Sequence, residues 1–237
     1  MLLKTEEIME KIIEKIKNNT LFLGLSSEDI QKIFTCCKAK IQKYKNGQFV
    51  FEKGDTINSV GIVLEGELNL VSQKFSGARV IVTTLNFNDM FGEAMIFSSS
   101  NVSPYDLESQ GESMALFIPK SFFTNVCPNS CDFHKIIISN MLSILSDKIV
   151  MLNSKMRILN AESIKSKIAI YLLSLYKKTN KLTFDMNMKR HELSEFLNVT
   201  RPSLSREFSN MQQENIIEVY RSSVKILNLE RLYELAE

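Results

Sequence analysis

Seven apolar residues, Ile138, Leu142, Leu145, Ile149, Leu152, Met156 and Leu159, follow one another at alternating intervals of four and three. That spacing predicts a helix over residues 132–159 with an unbroken a/d seam. A helix covered by its own domain usually carries a broader apolar face. The narrow seam therefore predicts a parallel two-stranded coiled coil, and with it a homodimer. A single long helix packed on its own domain is the other reading.

Upstream of the seam the pattern changes twice. Residues 6–19 are amphipathic and predict a helix. A second helix starts behind Ser26 or Ser27, followed by Glu28 and Asp29, and runs to about Lys38. From Ile41 to Pro119 the chain alternates short β-rich runs with turn residues. Residues 49–51, 59–64, 68–71, 79–85 and 114–118 predict separate strands, with Lys53-Gly54-Asp55 and Glu65-Gly66-Glu67 as turns. Short strands at regular spacing suggest a small barrel or jelly roll. Past a hinge at Asn160, residues 161–179 predict a helix with Ile168, Leu172, Leu173 and Leu175 inward.

Residues 189–206 (KRHELSEFLNVTRPSLSR) read as two short helices joined by a tight turn. Leu193, Phe196, Leu197 and Val199 are apolar on the first side, and Leu204, Phe208 and Met211 continue the spacing on the second. Thr200 suits an N-cap, and Pro202 falls in the first turn, where its missing donor costs little. Lys189, Arg190, Arg201, Ser203 and Arg206 are left facing outward. That is the layout of a DNA-binding helix-turn-helix, in which an arginine can pair with O6 and N7 of guanine. An ordinary helical hairpin with a solvated charged face is the alternative. Residues 216–220 and 224–227 flank Arg221-Ser222-Ser223 as a wing, where Arg221 and Lys225 could touch phosphate. Residues 229–235 close the chain as a short amphipathic helix.

Composition adds little until it is resolved along the chain. A length of 237 residues suits two domains, and a hydrophobic content of 44% is enough for packed cores. No uninterrupted apolar run approaches the roughly 20 residues of a membrane span. The first nineteen residues carry acids among the apolar positions, unlike a signal peptide. The expectation is a soluble cytoplasmic protein that meets no membrane. Net charge is only +2, yet residues 177–206 hold seven bases against three acids. That local excess lies on the helix-turn-helix, where phosphates would be met. Cys36, Cys37, Cys127 and Cys131 fit no common zinc spacing, so reduced thiols and no metal are expected; whether any of them senses redox state stays open. His134, at the start of the long helix, is expected on the surface or in a cap, with haem ligation as the sharper reading. No nucleophile–base pair, phosphate loop or metal set appears, so no enzyme is expected.

The order of helix, β-roll, long helix and winged helix-turn-helix meets specific residues. The motifs Leu21-Phe22-x-Gly24-Leu25-Ser26, Phe51-x-Lys53-Gly54-Asp55, Gly61-Ile62-Val63-Leu64-x-Gly66-Glu67-Leu68 and Phe91-Gly92-Glu93 resemble the β-roll signatures of the Crp/Fnr family of bacterial transcription regulators. Residues 200–206 resemble that family's recognition helix. The resemblance implies an α+β chain. Residues 1–131 would be a jelly-roll sensor domain, 132–160 a dimerisation helix and 161–237 a winged helix-turn-helix. It implies that Arg201 and Arg206 contact base edges, and that Thr200, Ser203 and Arg190 contact the backbone. Many members place glutamate after the first of these arginines; here that position is Pro202, so the operator should differ.

The ligand site departs further. In the family's cyclic-nucleotide binders an Arg-Ser pair follows the Gly-Glu segment and neutralises the cyclic phosphate. The matching pair here is Val102-Ser103, followed by Pro104. Burying an anion without cation or donors is costly. The expected effector pocket comprises Phe91, Gly92, Glu93, Val102, Ser103 and Asn153, with Glu93 either a ligand contact or a structural acceptor of backbone N–H groups. Cyclic AMP is not expected to bind, no cofactor is expected, and the effector is unknown. Expected partners are double-stranded DNA on a near-palindromic operator, a second copy of the chain, and RNA polymerase. The alternative is a small-ligand or redox-sensing module of the same fold with little or no DNA binding.

Overall fold

A computed structural model describes the chain apart from Met1, Phe75, Ser76, residues 126–130 and Asn187, and apart from the side chains of residues 1–8. Cys127 thus lies outside the described residues. The chain divides into two units, Met1–Asp147 and Lys148–Glu237, each with its own apolar core. The division falls inside the long helix α5 (Asp132–Asn160) rather than at its ends. The first half of α5 buries Ile137, Met141 and Ile144 in one core, and its last turns bury Ile158 in the other.

The first unit begins with α1 (Leu2–Ile16), a 3-10 turn over Thr20–Phe22, and α2 (Ser27–Cys37). Ser26 caps α2 reciprocally. Its hydroxyl accepts from the Asp29 N–H at 3.1 Å, and Asp29 accepts from the Ser26 N–H at 3.2 Å. Strands β1 (Lys40–Tyr44), β2 (Phe49–Phe51), β3 (Ser59–Gln73), β4 (Arg79–Leu85), β5 (Met90–Phe91) and β6 (Asp106–Pro119) form one antiparallel sheet in the order β1-β6-β3-β4. In it β2 pairs with β6 and β5 with β3. The short helices α3 (Glu93–Ile96) and α4 (Lys120–Thr124) punctuate it.

Three expectations change here. Residues 59–64 and 68–71 are not two strands about a turn; they are parts of one strand of 15 residues. Gly66 takes φ +73°, and the register with β6 shifts on either side of Glu65. The glycine therefore serves a bulge. A Cβ there would stand 2.3 Å from the Glu112 carbonyl oxygen. Similarly, residues 114–118 are only the end of β6, whose first half alternates buried Leu107 and Ser109 with more exposed polar residues. His134 is not on the surface. It is buried, its ring stacks on Phe122 with centroids 4.3 Å apart, and its Nε2–H donates to the Phe122 carbonyl.

The second unit contains the end of α5, α6 (Ile164–Thr179), β7 (Thr183–Asp185), α7 (Arg190–Phe196), α8 (Arg201–Gln213), β8 (Ile217–Tyr220), β9 (Ser223–Ile226) and α9 (Leu229–Glu234). Ile168, Leu172, Leu173 and Leu175 are buried on α6 as the periodicity requires. The wing hairpin β8–β9 gains a third strand, β7, giving the order β7-β9-β8. Only Phe184 of β7 is buried, too little for an alternating pattern to show in the sequence.

Helix α5 is apolar over much of its length. Although charged and polar residues interrupt its apolar runs, an 18-residue stretch averages a hydropathy of 1.4 and is 11% buried. By length and composition it is apolar enough to cross a membrane.

Candidate nucleic-acid interface

The second unit builds a rigid platform under α8. Leu193, Leu197, Leu204, Phe208 and Met211 are buried in one cluster with Ile168 and Leu172 of α6. The turn from α7 to α8 reverses at Asn198, which takes φ +52°. Asparagine tolerates that left-handed conformation better than most side chains. Lys165 ties α6 to α8: its ammonium is 2.6 Å from Glu214 and 3.6 Å from Glu207. The hydrogen bond to Glu214 is the main cause of its raised pKa. Neither periodicity nor motif flagged Lys165, because its partners lie on a different helix.

Thr200 caps α8 as read. Its hydroxyl oxygen accepts from the Ser203 N–H at 3.3 Å and its O–H donates to Ser203 Oγ at 2.8 Å. Ser203 is thus drawn into the cap and only part-exposed. Arg201 and Arg206 are exposed, and neither forms an ion pair with a described residue. Lys189 is exposed at the start of α7, where its backbone N–H donates to Glu192 at 2.7 Å. Arg190 is the exception. It is only part-exposed, and its guanidinium lies 3.8 Å from the centre of the Phe208 ring. Burial lowers its pKa and leaves Nη1 without a hydrogen-bond partner. Arg190 therefore pins α7 to α8, and only the rest of its fork remains for a phosphate.

On the wing, Arg221 sits at the tip with φ +55° and its guanidinium 5.4 Å from the Tyr220 ring centre. Tyr220 is 70% exposed and was not singled out by the sequence, where it reads as the last residue of a strand. Lys225 is exposed on β9, in register with Glu218 of β8. Ser205 and Ser209 also face outward on α8; Ser209 Oγ donates to the Ser205 carbonyl at 3.2 Å.

In the first unit, Gly92 takes φ +81° at the start of α3, and Glu93 is buried. Ser103 is buried too, with its hydroxyl donating to the Tyr105 carbonyl at 2.7 Å and accepting from the Tyr105 N–H at 3.2 Å. Val102 is 41% exposed and bridges to Thr56. Phe91 turns inward, its ring packed on Gly61 and edge-on to Phe117. A cavity of about 670 Å³ opens beside these aromatics, between Cys37, Lys40, Phe51 and Phe117; of the expected pocket residues it includes only Phe91. Asn153 belongs to the second unit and is exposed. Among the described residues no group of three or more His, Cys, Asp or Glu side chains could hold a metal.

Along α5 the seam is bare on a single chain. Leu142, Ile149, Leu152 and Met156 are each more than half exposed and Leu159 is 39% exposed, while Ile138 and Leu145 are part-buried against the first core.

Comparison with known proteins agrees with both units. Residues 41–130 match the cyclic nucleotide-binding domain, and residues 166–235 the Crp-like helix-turn-helix domain. The chain is 19% identical over 221 residues to the cyclic AMP receptor protein of Thermus thermophilus, covering 93% of this chain and 98% of that one. It is 24% identical over 229 residues to the transcriptional activator protein Anr of Pseudomonas protegens, covering 90% and 87%. The crystal structure of the Thermus thermophilus catabolite activator protein superposes with a TM-score of 0.52 at 18% identity, covering 92% of this chain and 98% of that chain. With an antiparallel β-roll, a long helix and a winged helix-turn-helix matched along nearly the whole length, the chain belongs to the Crp/Fnr family of DNA-binding transcription regulators.

Proposed function

We propose that this regulator works as a homodimer joined through the α5 seam, that its two α8 helices read a near-palindromic operator, and that it answers to an effector other than cyclic AMP. The observation that carries the reading is the bare seam: four large apolar side chains in one stripe, each more than half exposed. A contiguous apolar patch of this kind marks an interaction surface. Val150 and Met151, each 63% exposed, widen the apolar surface beyond the seam, and the charges on the same helix argue against lipid as its cover. Lys148, Lys155 and Arg157 would be costly inside a bilayer. A two-fold dimer would present paired α8 helices to half-sites one helical turn apart. Such a protein works in the cytoplasm, where DNA and RNA polymerase are its partners.

The effector reading rests on the missing cation. By the family resemblance Val102 matches the phosphate-neutralising arginine of the cyclic-nucleotide binders, and the Ser103 hydroxyl is already engaged with Tyr105. A cyclic nucleotide there would lose hydration without recovering it.

Light scattering on the full chain, followed by fluorescence anisotropy with near-palindromic duplexes at two salt concentrations, tests the proposal. A dimer with salt-dependent, sequence-selective binding is expected, unchanged by cyclic AMP. A monomer, or binding that ignores duplex sequence, would refute it.

A further inference from the structure

Helix α8 buries Leu204, Phe208 and Met211. At about 100° per residue, the side facing directly away from that stripe carries Pro202 and, one turn on, Arg206. Both are exposed. The centre of the face offered to a major groove is therefore an arginine preceded by a rigid apolar ring. Arg206 has donors for a guanine edge. Pro202 has neither side-chain donor nor backbone N–H, so it satisfies no polar base edge. Opposite it, a cytosine amino group would be stripped of water and left unpaired, which is costly. A thymine presents its 5-methyl group there instead, and apolar side chains recognise that methyl by contact. Of the neighbouring hydroxyls, Ser203 is held in the Thr200 cap, Ser209 donates back to its own helix, and Ser205 stands about 60° round the helix from Pro202.

We propose that Pro202 determines operator specificity by selecting a thymine through its 5-methyl group, within one or two base pairs of the guanine read by Arg206. The inference rests on the DNA-binding reading and adds to it which base is chosen and by which atoms. Burying one methyl corresponds to about a three- to five-fold change in affinity, and about ten- to twenty-fold when both half-sites contribute.

The test begins with the full-length protein and a pool of duplexes of random central sequence, from which bound molecules are selected. Each half-site is expected to carry a thymine one or two base pairs from an invariant guanine. Replacing that thymine by deoxyuridine removes only the methyl. It should weaken wild-type binding by about three- to five-fold per half-site. Pro202→Glu keeps a residue suited to a first helical turn, and should shift the selected base to cytosine and erase the deoxyuridine effect. Equal affinity for thymine and deoxyuridine at every thymine, no thymine near the guanine, or an unchanged preference in P202E would each overturn the proposal while the DNA-binding reading stood. Failure to select any sequence would instead remove the DNA-binding reading, and this proposal with it.

Discussion

Leu152→Ala tests the seam within its exposed stretch. Leu152 is 55% exposed on a single chain. Fully burying a leucine is worth about 1.5–3 kcal/mol, so covering the remaining half contributes about 1–1.5 kcal/mol per copy. Two copies meet at the seam, and alanine keeps only Cβ. The dimer should lose about 1.5–2 kcal/mol, a 10- to 30-fold weaker dissociation constant. The isolated chain should not notice. The side chain fills no core there, so no cavity forms, and alanine is the better helix former. Sedimentation equilibrium over a concentration series reads the association, and thermal unfolding at low concentration reads the chain itself. Ile137→Ala is the control with the opposite pattern. Ile137 is fully buried in the first core, so its truncation should cost about 2–5 kcal/mol of folding stability. If L152A associates as wild type does, or wild type stays monomeric at tens of micromolar, the reasoning from exposure to assembly fails.

Three other outcomes are expected. Arg201→Ala and Arg206→Ala should each weaken specific duplex binding by about 1–3 kcal/mol and relax the preference at one position, measured by anisotropy. Gly66→Ala should destabilise the first unit by more than about 2 kcal/mol in denaturant titration, because φ +73° and the nearby Glu112 carbonyl leave a Cβ no room. Iodoacetamide at pH 8 should modify exposed Cys36 well before Cys37, whose burial pushes its thiol up to about 11; mass spectrometry against time would show equal rates if that burial were wrong.

Local rules were enough for much of this chain. The Ser26 capping box, the α6 periodicity, the Thr200 cap and the wing strands all depend on residues within a few positions of one another, and each is where the pattern puts it. Errors arose where a residue's meaning depended on a distant partner. Glu65-Gly66-Glu67 looks like a turn until β6 lies beside it and makes it a bulge. His134 looks like a surface residue until Phe122, twelve positions away, covers its ring. The stacking of Arg190 on Phe208, eighteen positions away, likewise has no local sign in the sequence.

What the amino-acid order determined by itself was periodicity, caps and the basic character of residues 177–206, all short-range properties of the backbone and its nearest side chains. Only the tertiary structure decided which of those side chains stay free to act. It drew Arg190 and Ser203 inward, left Arg201, Pro202 and Arg206 outward, and tied α8 to α6 through Lys165. The physical reason is that burial and pairing are settled by groups far apart in sequence, whose approach no local pattern records.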